Sequence, residues 1–303
     1  MQKKVYGIVV TYYFKNEFKK NVNLFLNELD FLYIIDNGSS NKHVNYLKEL
    51  KNNKNNIHLQ LNKFNFGLAK AQNLALKLMK NKNPEWVFFF DQDSKPKKNL
   101  IKNLLEHSKK YNTELLGPKI LEQKVKRNNY YLIKKNNFKF KRTTIDNDEI
   151  KNNAYNLVSS GSIIKYKVFK EIGLFRENFF IDYIDLEFSL RARQRNYRIS
   201  IVNSASLFHE LGSQTKHNFC GFTIFCHNYN KERRYTIGRN RFFYMRIFAK
   251  SFPGIIKIEV LATFYDIFRI LIFEKNSIEK INYLIKGILH GIFKKIPPIS
   301  YLK

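Results

Sequence analysis

The chain has 303 residues, room for one large domain with a smaller appendage, and 44% of them are hydrophobic, including 28 Phe and 18 Tyr; general disorder is excluded. A formal net charge of +29 points to polyanionic partners (nucleic acid, anionic lipid or phosphate-bearing substrates), although Lys and Asn also crowd plain loops such as 51–56, so composition accounts for part of it. The two cysteines, Cys220 and Cys226, offer no disulfide framework, which makes a reducing compartment the expectation.

Residues 1–5 run into a strand-like segment without the apolar stretch of a signal peptide. Strands are predicted over 5–10, 31–36, 57–61 and 86–90, and helices over 17–29, 44–52 and 68–79. That rhythm predicts βαβ units around a parallel sheet buried on both faces. In such sheets ligands bind beyond the carboxyl ends of the strands. Each apolar run stops there at polar residues: Thr11-Tyr12, the Asp36-Asn37-Gly38-Ser39-Ser40 turn, the stretch 62–67, and Asp91-Gln92-Asp93. Further on, 117–120 starts a strand, and the basic, Asn-rich stretch 124–153 reads as a surface hairpin or insertion. Strand-like order returns over 157–164 with a short helix to Gly173; a helix is predicted from Asp182 to about Asn196, and strands over 198–202 and 205–209.

After about residue 220 the character changes, which divides the chain into an α/β domain over 1–220 and a basic helical region over 221–303. Residues 235–248 mix Arg with aromatics, and two amphipathic helices follow. In the last, Ile281, Leu284, Ile285, Ile288, Leu289, Ile292 and Phe293 share one face, with Lys280, Lys286, His290 and Lys294 away from it. Such a helix suits an anionic membrane surface or a partner protein, and equally suits packing on the rest of the chain. The most apolar window, 255–273, is broken by Lys257, Glu259, Asp266 and Arg269. No membrane span is expected there, and the expectation is a cytoplasmic protein, peripheral on the inner face of the cell membrane.

The strongest local signal for chemistry is Phe88-Phe89-Phe90-Asp91-Gln92-Asp93, an apolar strand ending in two carboxylates one residue apart. Hard cations such as Mg²⁺ and Mn²⁺ take oxygen ligands and are often completed by substrate phosphates. Asp146-Asn147-Asp148 has the same spacing in a polar stretch with no strand before it and reads as a solvated loop. A second signal is the acidic run Asp182, Asp185 and Glu187 after Phe179-Phe180-Ile181. One helix cap needs a single carboxylate; three acids in six residues leave one to act as a general base on a hydroxyl. A third is His209, which follows a strand; a lone histidine there is more often structural, but it suits Mn²⁺ as a further ligand because the aspartate pair needs one. Cys220, Cys226, His217 and His227 lack the usual zinc spacing and read as buried or incidental.

Taken in order, these pieces resemble the family-2 glycosyltransferases and, within them, the bacterial rhamnosyltransferases. The resemblance rests on Val9-Val10-Thr11-Tyr12, Ile35-Asp36-Asn37-Gly38-Ser39-Ser40, the 65–73 segment from Asn65-Phe66-Gly67 to Asn73, Phe90-Asp91-Gln92-Asp93-Ser94, Ser159-Ser160-Gly161-Ser162, the 179–191 stretch and His209-Glu210-Leu211-Gly212. It covers roughly residues 5–213, about two thirds of the chain. It implies a GT-A fold with a helical C-terminal extension. The implied activity moves a sugar, L-rhamnose from dTDP-L-rhamnose, with inversion onto a hydroxyl of a cell-envelope saccharide or lipid-linked saccharide. By position, the resemblance implies that Thr11, Tyr12 and Asp36 hold the nucleoside, that Asn65 and Gly67 lie near ribose and phosphates, and that Asp91 supports the donor. It likewise implies a divalent metal, Mn²⁺ or Mg²⁺, on Asp93 and His209, and Asp185 as the base, with Ser160, Gly161, Asp182 and Glu187 in supporting or acceptor-facing positions. Ile184 stands where many members carry Glu, which leaves the local electrostatics open.

Three other readings stay open beside a family-2 enzyme that uses a different nucleotide sugar. A basic nucleic-acid-binding protein without catalysis would use the Arg and Tyr residues of 233–246, but no recognised nucleic-acid motif accompanies them, so no such partner is expected. A dinucleotide-dependent oxidoreductase fits the βαβ order but needs a G-x-G-x-x-G after the first strand, which is absent. A non-catalytic relative is disfavoured by the presence of Asp93, Asp185 and His209.

Overall fold

Strand and helix alternate through the N-terminal third as β1 (Val5–Thr11), α1 (Asn16–Leu26), β2 (Phe31–Asp36), α2 (Asn41–Asn52), β3 (Ile57–Leu61), α3 (Leu68–Leu78) and β4 (Trp86–Asp91). The computed structural model describes residues 4–121, 130–136, 139–145, 150, 152–208 and 214–302. His209 to Gly212 and the control triplet Asp146-Asn147-Asp148 lie outside the described residues. The chain continues with β5 (Lys95–Pro96), α4 (Leu100–Tyr111), β6 (Leu115–Leu121), the hairpin β7 (Tyr131–Asn136) and β8 (Lys139–Thr143), β9 (Ile163–Lys165), α5 (Tyr166–Ile172), α6 (Ile184–Gln194) and β10 (Ile199–Phe208). A second hairpin, β11 (Thr215–Phe219) and β12 (Phe222–Cys226), leads to α7 (Lys231–Phe248), α8 (Gly254–Phe273) and α9 (Ser277–Phe293).

Among the described residues the central sheet runs β3-β2-β1-β4-β9-β6-β10-β5. The first four strands are parallel, as their apolar runs predict, with Ile8 opposite Tyr33 and Phe89. Successive side chains go to opposite faces. Val9, Ile34, Phe88 and Phe90 join Phe18, Val22 and Leu104 on one side, while Ile8, Ile35, Val87 and Phe89 join Ala75, Phe169 and Phe188 on the other. Each such buried side chain contributes about 1.5–3 kcal/mol.

The sheet is mixed rather than wholly parallel, because β9 runs antiparallel to both β4 and β6. This reversal brings the 159–162 turn against the carboxyl end of β4, where Gly161 N donates to Phe89 O at 2.7 Å and Phe89 N to Ser162 O at 2.8 Å. The two strands expected over 198–202 and 205–209 are one strand, β10, with its register against β6 broken between Val202 and Ser206. Its partner at the break is Pro118, which has no N–H to continue the ladder.

The helices after residue 230 pack against this sheet unit. Tyr244, Phe248, Phe252 and Ile255 form a cluster with Tyr155 and Leu190. α9 lies so close along α7 that a Cβ on Gly287 would stand 2.1 Å from Tyr235 O. The last residues return to the sheet unit, where Leu174 N donates to Ser300 O at 2.8 Å.

Candidate active site

The polar ends of the parallel strands open into a cavity of about 760 Å³. One wall carries Tyr12, Asn65, Gly67, Gln72, Asp91, Gln92 and Asp93 from the N-terminal half. A second carries Ser159, Ser160, Phe180, Asp182, Tyr183 and Asp185. The third comes from the C-terminal helices and the turn before them, with His227, Tyr229, Arg233, Arg234, Arg241, Asp266 and Arg269. Of the predicted site residues, Tyr12, Asn65, Gly67, Asp91, Asp93, Ser160, Asp182 and Asp185 are thus brought together.

Thr11 and Asp36 are not on the cavity lining; they are fully buried behind it. Asp36 accepts from Thr11 Oγ1 at 2.9 Å, Ser39 Oγ at 2.6 Å, and the backbone N–H groups of Ser39 and Gly38 at 2.8 and 3.2 Å. Those bonds hold the 37–40 turn and occupy the carboxylate. Gln92 ties that edge to β1, since its Oε1 accepts from Tyr12 N at 2.8 Å and its Nε2 donates to Tyr12 O at 3.1 Å.

Asn65 shapes the next loop by accepting from Gly67 N at 2.9 Å and from Asn37 Nδ2 at 3.2 Å. Gly67 has φ +85, and a Cβ there would lie 2.5 Å from the Phe180 ring. The close approach lets Leu68 N donate to Phe180 O at 2.6 Å, which joins the first wall to the acidic second one.

Ser160 is buried, takes a hydrogen bond from Asp91 N at 3.2 Å and pairs with Ser94 Oγ at 2.6 Å. Gly161 lies behind it with φ +80, against Pro118 and Leu207. Asp91 and Asp93 offer hard carboxylate oxygens at the end of β4, half-buried and exposed respectively. Among the described residues no group of three or more His, Cys, Asp or Glu is placed to hold a metal. Carboxylate oxygens of this kind suit a hard divalent cation that takes further oxygens from water and phosphate.

α6 starts at Ile184, two residues later than predicted, because Phe180, Asp182 and Tyr183 all have positive φ. That sharp turn puts Asp185 in the first helical turn, where the helix end favours negative charge. Its carboxylate accepts from Ser159 N at 3.2 Å and Leu186 N at 2.9 Å. Burial pushes its pKa up to about 6; those N–H groups partly offset the rise and nearby Asp182 adds to it. A carboxylate at that value is ionised at neutral pH yet basic enough to take a proton.

Asp182 faces Arg233, whose Nε and Nη2 lie 3.0 and 2.8 Å from its two oxygens. Asn240 of α7 is fully buried and its amide donates to Phe179 O, Ile181 O and Asp182 O at 2.7, 2.9 and 3.0 Å. Glu187 points away from the cavity into a buried cluster, where Arg176 Nε lies at 3.0 Å and Arg191 Nη2 at 2.8 Å. Arg191 in turn donates to the carbonyls of Ile172, Gly173 and Leu174, so Glu187 supports the turn beneath the site.

The third wall is what sequence reasoning missed. Arg241 bridges Tyr183 Oη at 2.7 Å and Asp266 Oδ2 at 2.6 Å, and Tyr183 donates to Glu259 Oε2 at 2.6 Å. Arg269 pairs with the other oxygen of Asp266, and Arg234 with Glu274. Burial alone would raise Asp266, but Arg241 and Arg269 hold it below the usual carboxylate range. The signal was present: Glu259, Thr263, Asp266 and Ile270 recur at three- and four-residue steps, one face of a helix, within an otherwise apolar segment.

A family model described as Glycosyl transferase family 2 matches residues 8–173, more than half of the chain. The chain belongs to glycosyl transferase family 2. A dTDP-rhamnosyl transferase RfbF of Shigella flexneri is 30% identical to this glycosyltransferase over 301 residues, covering 96% of each chain. Among solved structures, the 1–349 portion of S. aureus TarS superposes with a TM-score of 0.56 at 18% identity, over 96% of this chain and 72% of that one. Against the longer TarS chain the glycosyltransferase spans less than half, 44%, at a TM-score of 0.54 and 16% identity. GalNAc-T7, solved with UDP, GalNAc and Mn²⁺, matches at a TM-score of 0.55 and 13% identity over 80% of this chain and 50% of that one. The enzyme has the GT-A fold, and its C-terminal helices extend it.

Proposed function

We propose that this glycosyltransferase moves L-rhamnose from dTDP-L-rhamnose, with inversion, onto a hydroxyl of a cell-envelope saccharide, carried on lipid. The observation that supports it is that Asp93 and Asp185, far apart in sequence, open into one cavity from different walls. The donor assignment draws on the rhamnosyl relative, which matches almost end to end.

Asp185 takes the proton of the acceptor hydroxyl as that oxygen attacks the anomeric carbon; the bond from that carbon to the diphosphate oxygen breaks, and the nucleoside diphosphate leaves on the opposite face. Burial keeps Asp185 basic, and the N–H groups of Ser159 and Leu186 fix its orientation. Asp93, with Asp91 beside it and His209 as a further ligand, would hold Mn²⁺ or Mg²⁺, whose charge offsets that growing on the diphosphate. Tyr12, Asn65 and Gly67 line the nucleotide side; Thr11 and Asp36 act through the turn they hold. Residues 221–303 complete the acceptor side of the catalytic unit formed by 1–220.

The test is transfer from a set of nucleotide sugars by purified enzyme, with and without manganese, to a lipid-linked saccharide. Metal-dependent turnover of dTDP-rhamnose alone is expected. Equal turnover of a UDP-sugar would replace the donor, and full activity of Asp185→Asn would remove the base.

A further inference from the structure

α8 is built inside out. Its inward arc carries Glu259, Thr263, Asp266 and Arg269, all buried in the ion-pair network of the third wall. Its outward arc is apolar: Leu261, Phe264, Leu271 and Ile272 are exposed, Phe264 by 66%. α9 continues the pattern, because it packs on α7 through Leu284, Gly287 and Gly291 and leaves Ile278 and Phe293 exposed, the latter by 78%. The β11–β12 hairpin extends the surface, with Phe219 packed 5.6 Å from Phe268 of α8 and Phe222 exposed. In water an amphipathic helix turns these two arcs the other way round. Exposed apolar side chains gathered on these elements mark a surface that is covered in use.

Charge decides what covers it. Lys257 stands in the outward arc of α8, and Lys275, Lys286, Lys294 and Lys295 are exposed along α9 and its ends. The exposed acid there, Glu279, is already paired with Lys231 at 2.5 Å. A second copy would bring this basic surface against its own image, each chain carrying +29 overall. No helix among the described residues is long and apolar enough to cross a membrane. We propose that the outward faces of α8 and α9 and the β11–β12 hairpin lie in the interface of an anionic lipid bilayer, with apolar side chains in the acyl boundary and lysines at the headgroups. The docking is independent of which sugar is transferred, so lipid binding and turnover fail separately.

Co-sedimentation of the full chain with phosphatidylglycerol–phosphatidylcholine vesicles, compared with phosphatidylcholine alone, tests this. Binding to the anionic vesicles is expected, weakening as salt is added. The pair Phe264→Ser with Leu271→Ser, and separately Lys257→Glu with Lys286→Glu, should each weaken it about tenfold or more. Melting temperature should not change, since all four side chains are exposed. No vesicle binding, or equal binding to both vesicle types, overturns the proposal. So does a dimer in sedimentation velocity that the serine variant abolishes, which would assign the face to a second copy.

Discussion

Asp185 combines two demands that pull in opposite directions, a carboxylate partly withdrawn from water and an ionised one. Its pKa of about 6 predicts that kcat rises with pH through that value and levels off above it, read from a pH–rate profile with saturating substrates. Stability runs the other way. Because the folded value lies above the ordinary 3.8, the contribution is fully present below that pH and lost as pH rises through about 6. Asp185→Asn should therefore be inactive, yet more stable than wild type by up to about 3 kcal/mol at pH 8 and not below pH 4, by thermal unfolding. Gly67 is the other residue with little latitude. Gly67→Ala should weaken binding of the nucleoside diphosphate about tenfold, measured by calorimetry, through its clash with Phe180 and a backbone strain of about 1–3 kcal/mol. Adding Phe180→Ala should recover only part, because the strain remains. Glu187→Ala leaves Arg176 and Arg191 buried with no carboxylate between them. A loss of about 3–5 kcal/mol in urea unfolding is expected, a structural cost and not a chemical one.

Among elements, α7 is the one whose role was least readable from its letters. Residues 235–248 mix Arg with aromatics without a single apolar face, because three surroundings meet on this helix: the core at Phe243, the ion pairs at Arg234 and Arg241, and the close contact with α9. Strands β1, β2 and β4 were legible because both faces are buried and the apolar run ends where the sheet does, and the edge strand β3 by its alternation of apolar and polar residues. Asp91, Asp93 and Asp185 could be singled out because they follow such apolar runs. The wall from α7 and α8 was not legible in the same way, since charges inside an apolar segment read as interruptions until their partners are known. Asn240→Ala tests what α7 does for the site. Three carbonyls of the 179–182 turn would lose their donor, at about 1–3 kcal/mol. With the turn loosened, kcat should fall, measured from steady-state rates at saturating substrates, and the Gly67 loop bonded to Phe180 should loosen with it.

At the scale of the whole molecule, the division at residue 220 marks a change of composition more than a seam. Phe243 belongs to the same core as Phe169, Phe175 and Phe188, Ile296 and Leu302 pack against that core, and Ser300 O accepts from Leu174 N. A chain ending at residue 220 should therefore be insoluble, or lack cooperative unfolding by circular dichroism, although it contains the matched 8–173 segment.

Backbone contact, in which Gly287 nearly touches the Tyr235 carbonyl, holds α9 to α7 without help from the isoleucines and phenylalanine of its outer side. Those positions are thus spare letters as far as folding is concerned. Evolution is free to rewrite them for a different cellular address, and an engineer can replace them with polar residues to obtain a well-behaved sample, neither having to revise the scaffold beneath.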